Sequence, residues 1–236
     1  MPKGGKSPQR RLRHGEARER ILDAAEKMFA VDGYDNVSFR SLTAAAGVSL
    51  SAIHYHFGSK DALFSEIFAR RASLLTNRRL ELLEAALRYG GRPATLESIL
   101  DAFLRPAFEV TRGDRNDLFN RLRARVSLEH SATTRHIVSR AFDQNDLRFI
   151  DELRAALPEL KDEDLHWRFH FLVGAMIYTM SDSGQLEGLS GGKCSSTRTD
   201  LALPLMVKAF SAVFRSPPMQ LAQTNKKTTD AKQVAF

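Results

Sequence analysis

An all-α protein is predicted, on three observations. Apolar residues recur at three- and four-residue intervals along most of the chain, and no segment alternates convincingly over the length of a strand. Glycines, prolines and capping serines or threonines cut the periodic stretches at helix-like lengths. The expected architecture is a three-helix helix-turn-helix unit followed by a larger helical bundle, about nine helices in all.

Residues 1–14 carry Lys3, Lys6, Arg10, Arg11 and Arg13 ahead of the first acidic residue, Glu16, and show no periodicity. They read as a disordered basic arm, which either only solubilises or adds phosphate and minor-groove contacts. Ile21, Leu22, Ala25, Met28 and Phe29 then mark a first helix over 15–31, ended at Gly33. Ser38 is the N-cap of a short helix, Phe39 to Ala46, broken by Gly47. Ser49 caps the next, Leu50 to Phe57, which Gly58 ends. Ser59 caps a long fourth helix with Leu63, Ile67, Leu74, Leu82 and Leu83 on its apolar stripe, stopping at Gly90-Gly91-Arg92-Pro93.

Helical patterning continues over Thr95 to Thr111, with Pro106 expected to kink it, then over Asn116 to Glu129 and Thr133 to Leu157. Asp162 caps a helix from Glu163 to Met180, and residues 183–196, rich in Gly and Ser, read as a mobile loop. A last helix starts at Thr199 or Asp200 and runs to Phe214, with Pro204 in its second turn and Pro217-Pro218 beyond its end. These boundaries divide the chain into the arm (1–14), a helix-turn-helix unit (15–58), a helical bundle (59–215) and a disordered tail (216–236) carrying Lys226, Lys227 and Lys232.

The formal net charge of +7 suits a polyanionic partner, though basicity alone does not select nucleic acid. One cysteine, Cys194, cannot form an internal disulfide and fits a reducing cytoplasm. No apolar run reaches the length of a membrane span, and no signal-peptide pattern opens the chain. No nucleophile–base pair, phosphate-binding glycine loop or paired carboxylates stand out, which argues against an enzyme and against a bound cofactor.

The segment with chemical content is Ser38 to Phe57. Two short helices meet at Gly47, with Leu42, Ala46 and Val48 as the set packed between them. Ile53 and Phe57 anchor the second helix to the first helix of the chain. Its other face then presents Ser49, Leu50, Ser51, His54 and Tyr55, with His56 beside them, to a major groove wide enough to admit a helix. Arg40 has the fork that reads guanine O6 and N7. Lys60, with the backbone amides of the fourth helix's first turn, makes a phosphate site.

Gly33-Tyr34, Val37-Ser38-Phe39-Arg40, Ala46-Gly47-Val48-Ser49 and Tyr55-His56-Phe57-Gly58-Ser59-Lys60-Asp61-Ala62-Leu63-Phe64 resemble the N-terminal domain of the tetracycline-repressor (TetR) family, in register over 16–64. The resemblance implies a homodimer of helical subunits on a double-stranded, palindromic DNA operator, released by a small effector held in the larger domain. It also implies dimerisation through the last two helices, 163–180 and 200–214. His54 stands where the family most often has tyrosine, and Leu50 where a polar residue is frequent, so operator sequence does not transfer. His166-Trp167-Arg168-Phe169 and Phe171-Leu172-Val173-Gly174-Ala175 resemble a subgroup containing fatty-acid-responsive repressors, which implies an apolar or amphipathic effector such as a fatty acid or acyl derivative.

Within the bundle Phe103, Phe108, Phe119, Phe149, Phe169 and Phe171 read mostly as core. Phe103, Phe108 and Phe119, with Arg123, His170 and Gly174, are the candidates to line an effector cavity. Arg121, Arg123 and Arg125, behind Arg112 and Arg115, read either as a solvated face or as an anion site. His166 and His170 have two-histidine metal spacing but no third ligand near in sequence, so packing or ligand contact is favoured over metal. His130 and His136 read as surface residues, and Cys194 as an unreactive thiol. The rival reading is a non-specific DNA-binding architectural or adaptor protein, motivated by the basic arm and tail; specific palindrome binding at physiological salt separates the two.

Overall fold

The computed structural model describes residues 8–90, 93–109, 115–128, 132–181 and 184–218. Lys3, Lys6, Arg112, His130, Lys226, Lys227 and Lys232 lie outside the described residues. The regular elements among them are helices: α1 (Pro8–Asp32), α2 (Phe39–Ala46), α3 (Leu50–Phe57), α4 (Lys60–Gly90), α5 (Leu96–Phe108), α6 (Arg115–Leu128), α7 (Ala132–Ala156), α8 (Asp162–Met180), α9 (Gln185–Ser190) and α10 (Thr199–Arg215). None is long and apolar enough to cross a membrane.

α2 and α3 form because their ends are satisfied locally. Ser38 Oγ accepts from Ser41 N–H, and Ser41 Oγ accepts in turn from Ser38 N–H, both at 3.1 Å. Gly47 closes α2 in the left-handed region (φ 61°), a conformation costly for any residue with a Cβ. Ser49 Oγ accepts from Ala52 N–H at 3.2 Å and starts α3. Leu42, Ala46, Ile53 and Phe57 are buried against α1, with Val48 half-buried beside them.

α1 and α4 are bound into one block. Phe64 of α4 meets Phe29 and Tyr34 edge-on, each with ring centroids 5.0 Å apart. Beside them Arg71 of α4 grips Glu26 of α1 with two bonds, 2.6 and 2.7 Å, and both side chains are buried. Arg18–Glu66 and Arg70–Glu19 repeat the link at the surface. The core then continues through α4, α5, α7 and α8, where Phe103 contacts Phe149 and Phe169 edge-on at 5.1 and 5.0 Å. Arg168, buried on α8, pairs with Asp164 and donates to the carbonyls of Val213, Phe214, Ser216 and Pro217, satisfying the exposed end of α10.

Several expectations need correction. α1 starts at Pro8, not at residue 15, because proline suits a first helical turn and Gly15 alone does not stop the helix. Ten helices lie among the described residues, in keeping with the expectation of about nine. The extra one, α9, lies in the segment expected to be a mobile loop. Polar side chains organise that segment: Glu187 Oε1 accepts from Ser196 N–H at 2.8 Å and Ser190 Oγ from Cys194 N–H at 3.0 Å. Asp162 is the first residue of α8, not its cap, since its carboxylate is taken by Arg154 at 2.6 Å. Leu74 is exposed; the buried stripe of α4 runs instead through Leu63, Ile67, Arg71, Leu75, Arg79, Leu83 and Leu87. Pro106 falls in the last turn of an unbroken α5.

Candidate functional site

The α2–α3 pair presents its polar edge outward. Arg40, Ser49, Leu50, Ser51, His54 and Tyr55 are all exposed, Tyr55 by 63%. An aromatic ring so open on a short helix adds little to the core and faces outward, where a partner can meet it. Ser51 Oγ lies 2.9 Å from Ser49 Oγ, so the helix's first turn carries a hydroxyl pair. His54 is held by Phe39, edge-on at 5.0 Å, and by Gly58 O, 3.2 Å from its Nδ1, which leaves its outer ring edge open. His56 is half-buried and packs between the rings of Tyr55 and Phe57, at 5.3 and 6.1 Å. Lys60 is not a loose cation: its Nζ donates to Tyr34 O at 3.0 Å and sits 4.3 Å from the Tyr34 ring centroid. Tyr34 also bonds Asp61. Lys60 therefore fixes the α1–α2 turn to the start of α4, and any phosphate contact uses an ammonium already oriented.

The effector candidates do not converge as one set. Phe103, Phe108, Phe119 and Arg123 are buried in the bundle. His170 and Gly174 are exposed, on the same outward face of α8 as Trp167, Phe171 and Tyr178. Helical geometry sets this division: Leu165, Arg168, Phe169, Leu172 and Met176 take the inward face, so 167, 170, 171, 174 and 178 must look out. Phe171, expected as core, is 46% exposed for the same reason. His166 Nδ1 lies 2.7 Å from Asp162 O, His170 rests against Trp167, and no third metal-type ligand gathers with them among the described residues.

The arginine run of α6 also splits. Positions two apart on a helix point to different sides, so Arg121 and Arg125 are exposed while Arg123 enters the core at 2% exposure. Arg125 reaches α1: Nη1 donates to Val31 O at 2.6 Å and Nη2 to Asp32 O at 3.0 Å, capping the last carbonyls of that helix. Gly33, with φ 84°, leaves room for it, because a Cβ there would come within 2.5 Å of Arg125 Nε.

Arg123 meets a partner the sequence did not single out. Arg79 of α4 is fully buried, and its Nε donates to Phe103 O at 2.8 Å while its Nη1 stands 3.5 Å from Asp146 Oδ1 of α7. The two guanidinium groups lie over phenylalanine rings, Arg79 over Phe103 at 3.7 Å and Arg123 over Phe142 at 4.0 Å. Burial, and after it the Arg123 charge, hold Arg79 well below the usual arginine range against the pull of Asp146. Burial pushes Arg123 down to about 10 and raises the Asp146 carboxyl, although both arginines pull the latter the other way. The one sequence signal for Arg79 is its place on the apolar stripe of α4, four residues after Leu75 and four before Leu83.

Comparison with known proteins agrees with this architecture. Residues 21–67 match the family described as bacterial regulatory proteins, tetR family, and residues 101–212 match the tetracyclin repressor-like C-terminal domain. The chain is 35% identical over 137 residues to the HTH-type transcriptional repressor Rv1474c of Mycobacterium tuberculosis, spanning 56% of this chain and 69% of that one. It is 27% identical over 183 residues to the HTH-type transcriptional repressor AcnR of Corynebacterium glutamicum, covering 74% and 87% of the two chains. Among solved structures, a transcriptional regulator from Saccharomonospora viridis in complex with choline shares the fold, with TM-score 0.57, 22% identity and coverage of 82% and 96%. With its helix-turn-helix match, its C-terminal-domain match and these relatives, the chain belongs to the tetR family of helix-turn-helix transcriptional regulators.

Proposed function

We propose that the protein is a homodimeric repressor that binds a palindromic operator and leaves it when a small effector enters the bundle between α4, α5, α6 and α7. The observation that carries this reading is the exposed edge of α2–α3, with Arg40, Ser51, His54 and Tyr55 on one surface. A dimer places two such edges in successive major grooves about 34–36 Å apart. Support for the dimer comes from two outward apolar faces, Trp167, Phe171 and Tyr178 on α8 and Leu201, Leu205 and Val213 on α10. Exposed apolar area of this kind on adjacent helices marks an interface. The fatty-acyl effector implied by the α8 sequence finds less support, since His170 and Gly174 stand on that outward face and not in the core.

Binding-site selection from random duplexes at physiological salt tests the reading. A selected palindrome should be bound about 10³-fold or more over random DNA. Light scattering of the free protein should give a dimer. Arg40→Ala combined with Tyr55→Phe should weaken operator binding about 10-fold or more with helix content and dimer mass unchanged. Equal affinity for random duplexes would instead support a non-specific architectural protein.

A further inference from the structure

Among the described residues four arginines are buried, and two of them are fully provided for. Arg71 has Glu26 to itself in a two-bond pair. Arg168 has Asp164 and four backbone carbonyls. Arg79 and Arg123 differ. Between them, among the described residues, they share one carboxylate, Asp146, which leaves one positive charge unmatched there. Arg79 Nη1 has only the 3.5 Å ion pair to Asp146 Oδ1, neither atom making a hydrogen bond, and among the described residues the buried Arg123 Nε and Nη1 have no hydrogen-bond partner. A buried guanidinium with idle donors is costly, and arginine does not shed its proton to escape. Substituting hydrophobic residues often costs nothing in stability, so an under-partnered pair is poorly explained as structure alone.

We infer that Arg79 and Arg123 form a buried receptor for one oxyanion, the carboxylate or phosphate group of the effector. This rests on the reading above that an effector binds in the bundle. Flat guanidinium forks bind such groups through paired N–H donors, and the edges left idle here are of that type. Phe103 and Phe142, beneath the two guanidiniums, keep the planes fixed and exclude water. A cleft of about 190 Å³ between α4, α5 and α6 is lined by Leu75, one turn before Arg79 on α4, and by Phe119 and Asn120, about one turn before Arg123 on α6; the two arginines are not among its lining residues. Arg78, at the same cleft, is engaged with Glu81 and Glu109, so the charge awaiting a partner is the inner pair. The volume suits a small acid or the head of a longer one, being below the roughly 300–1,000 Å³ of drug-sized pockets.

Thermal unfolding of the full chain tests the assignment, with sodium succinate, sodium octanoate and inorganic phosphate against 1-octanol and sodium chloride at matched ionic strength. At least one of the three oxyanions should raise Tm saturably, by about 3–6 °C at tenfold excess over its Kd, and which one does so identifies the source of the group. Neither octanol nor chloride should do the same. Arg123→Met should abolish the shift while leaving the unliganded Tm equal or higher, because it removes an uncompensated buried charge. Arg79→Lys, which keeps a charge but loses the fork, should cut the affinity at least about tenfold if Arg123→Met misfolds. No oxyanion response, a response equal to chloride, or one that survives in the folded arginine variants overturns the receptor. Operator binding in the same solutions separates the two readings. An anion that binds without releasing DNA defeats the release mechanism and keeps the receptor; release by a neutral compound alone does the reverse.

Discussion

At the scale of single residues, the fate of a buried arginine in this molecule is decided by what its guanidinium can reach. Arg71 is the structural case. Its bond pair to Glu26 closes the seam between α1 and α4 where neither helix could otherwise bury a charge. Replacing Glu26 by Gln leaves Arg71 buried with at most one good acceptor, which should cost about 3 kcal/mol and lower Tm by about 6–12 °C. Calorimetry at neutral pH reads this directly, and a loss under 1 °C would show that water reaches the seam. Arg71 also marks what sequence could tell and what it could not. Ser38, Gly47 and Ser49 were legible because a cap or a turn acts over three or four residues. Arg71–Glu26 and Arg79–Asp146 were not, because each joins helices far apart in the chain and no local rule pairs them.

At the scale of elements, periodicity located every helix but α9 yet misjudged which face of some of them turns inward. From Phe169 onward α8 is apolar on most sides, so its pattern cannot distinguish a core face from one reserved for another subunit; the packing of α5, α6, α7 and α10 fixes its rotation. That is why His170 and Gly174 were expected in a cavity and stand outside it. The α5–α10 seam is fixed differently, by Arg215 and Glu97, whose Nη2–Oε2 contact is 2.9 Å. The Arg215 hydrogen bond holds Glu97 down to about 2. A carboxylate depressed on folding adds stability that is complete above its unfolded pKa near 4.5 and disappears as pH falls to about 2. Both side chains are about half exposed, so solvent limits the gain to about 1 kcal/mol or less. Glu97→Gln should therefore lower Tm by about 1–3 °C at pH 6, with the difference from wild type closing between pH 4.5 and 2. Parallel Tm curves across that range would remove the pair from the account of α10 docking.

At the scale of the whole molecule, the question is how an event in the bundle reaches the DNA-reading edge. Two helices connect them, and each carries one group at both ends of the path. α4 holds Arg79 in the core, Arg71 at the seam and Lys60 against the α1–α2 turn. α6 holds Arg123 in the core and, two residues on, Arg125 on the last carbonyls of α1. An anion drawn between Arg79 and Arg123 pulls on both helices at once, and through Arg125 and Arg71 it shifts α1, on which α2 and α3 are packed. Effector coupling of this kind is typically worth about 1–3 kcal/mol, and it needs a contact that differs between the two states. Arg125 is that contact on the α6 branch, since Gly33 leaves it space and it reaches Val31 O and Asp32 O from α6, sharing the latter with Asn36 Nδ2 at 2.9 Å. In Arg125→Ala, amide exchange at the α1–α2 turn should quicken while α8 and α10 stay protected. Operator affinity without effector should hold within about threefold, and the weakening caused by a saturating oxyanion should shrink about tenfold as one of two branches is lost. If exchange and anion response both match wild type, α6 is a bystander, and α4 alone carries the signal from the arginine pair to the recognition helix.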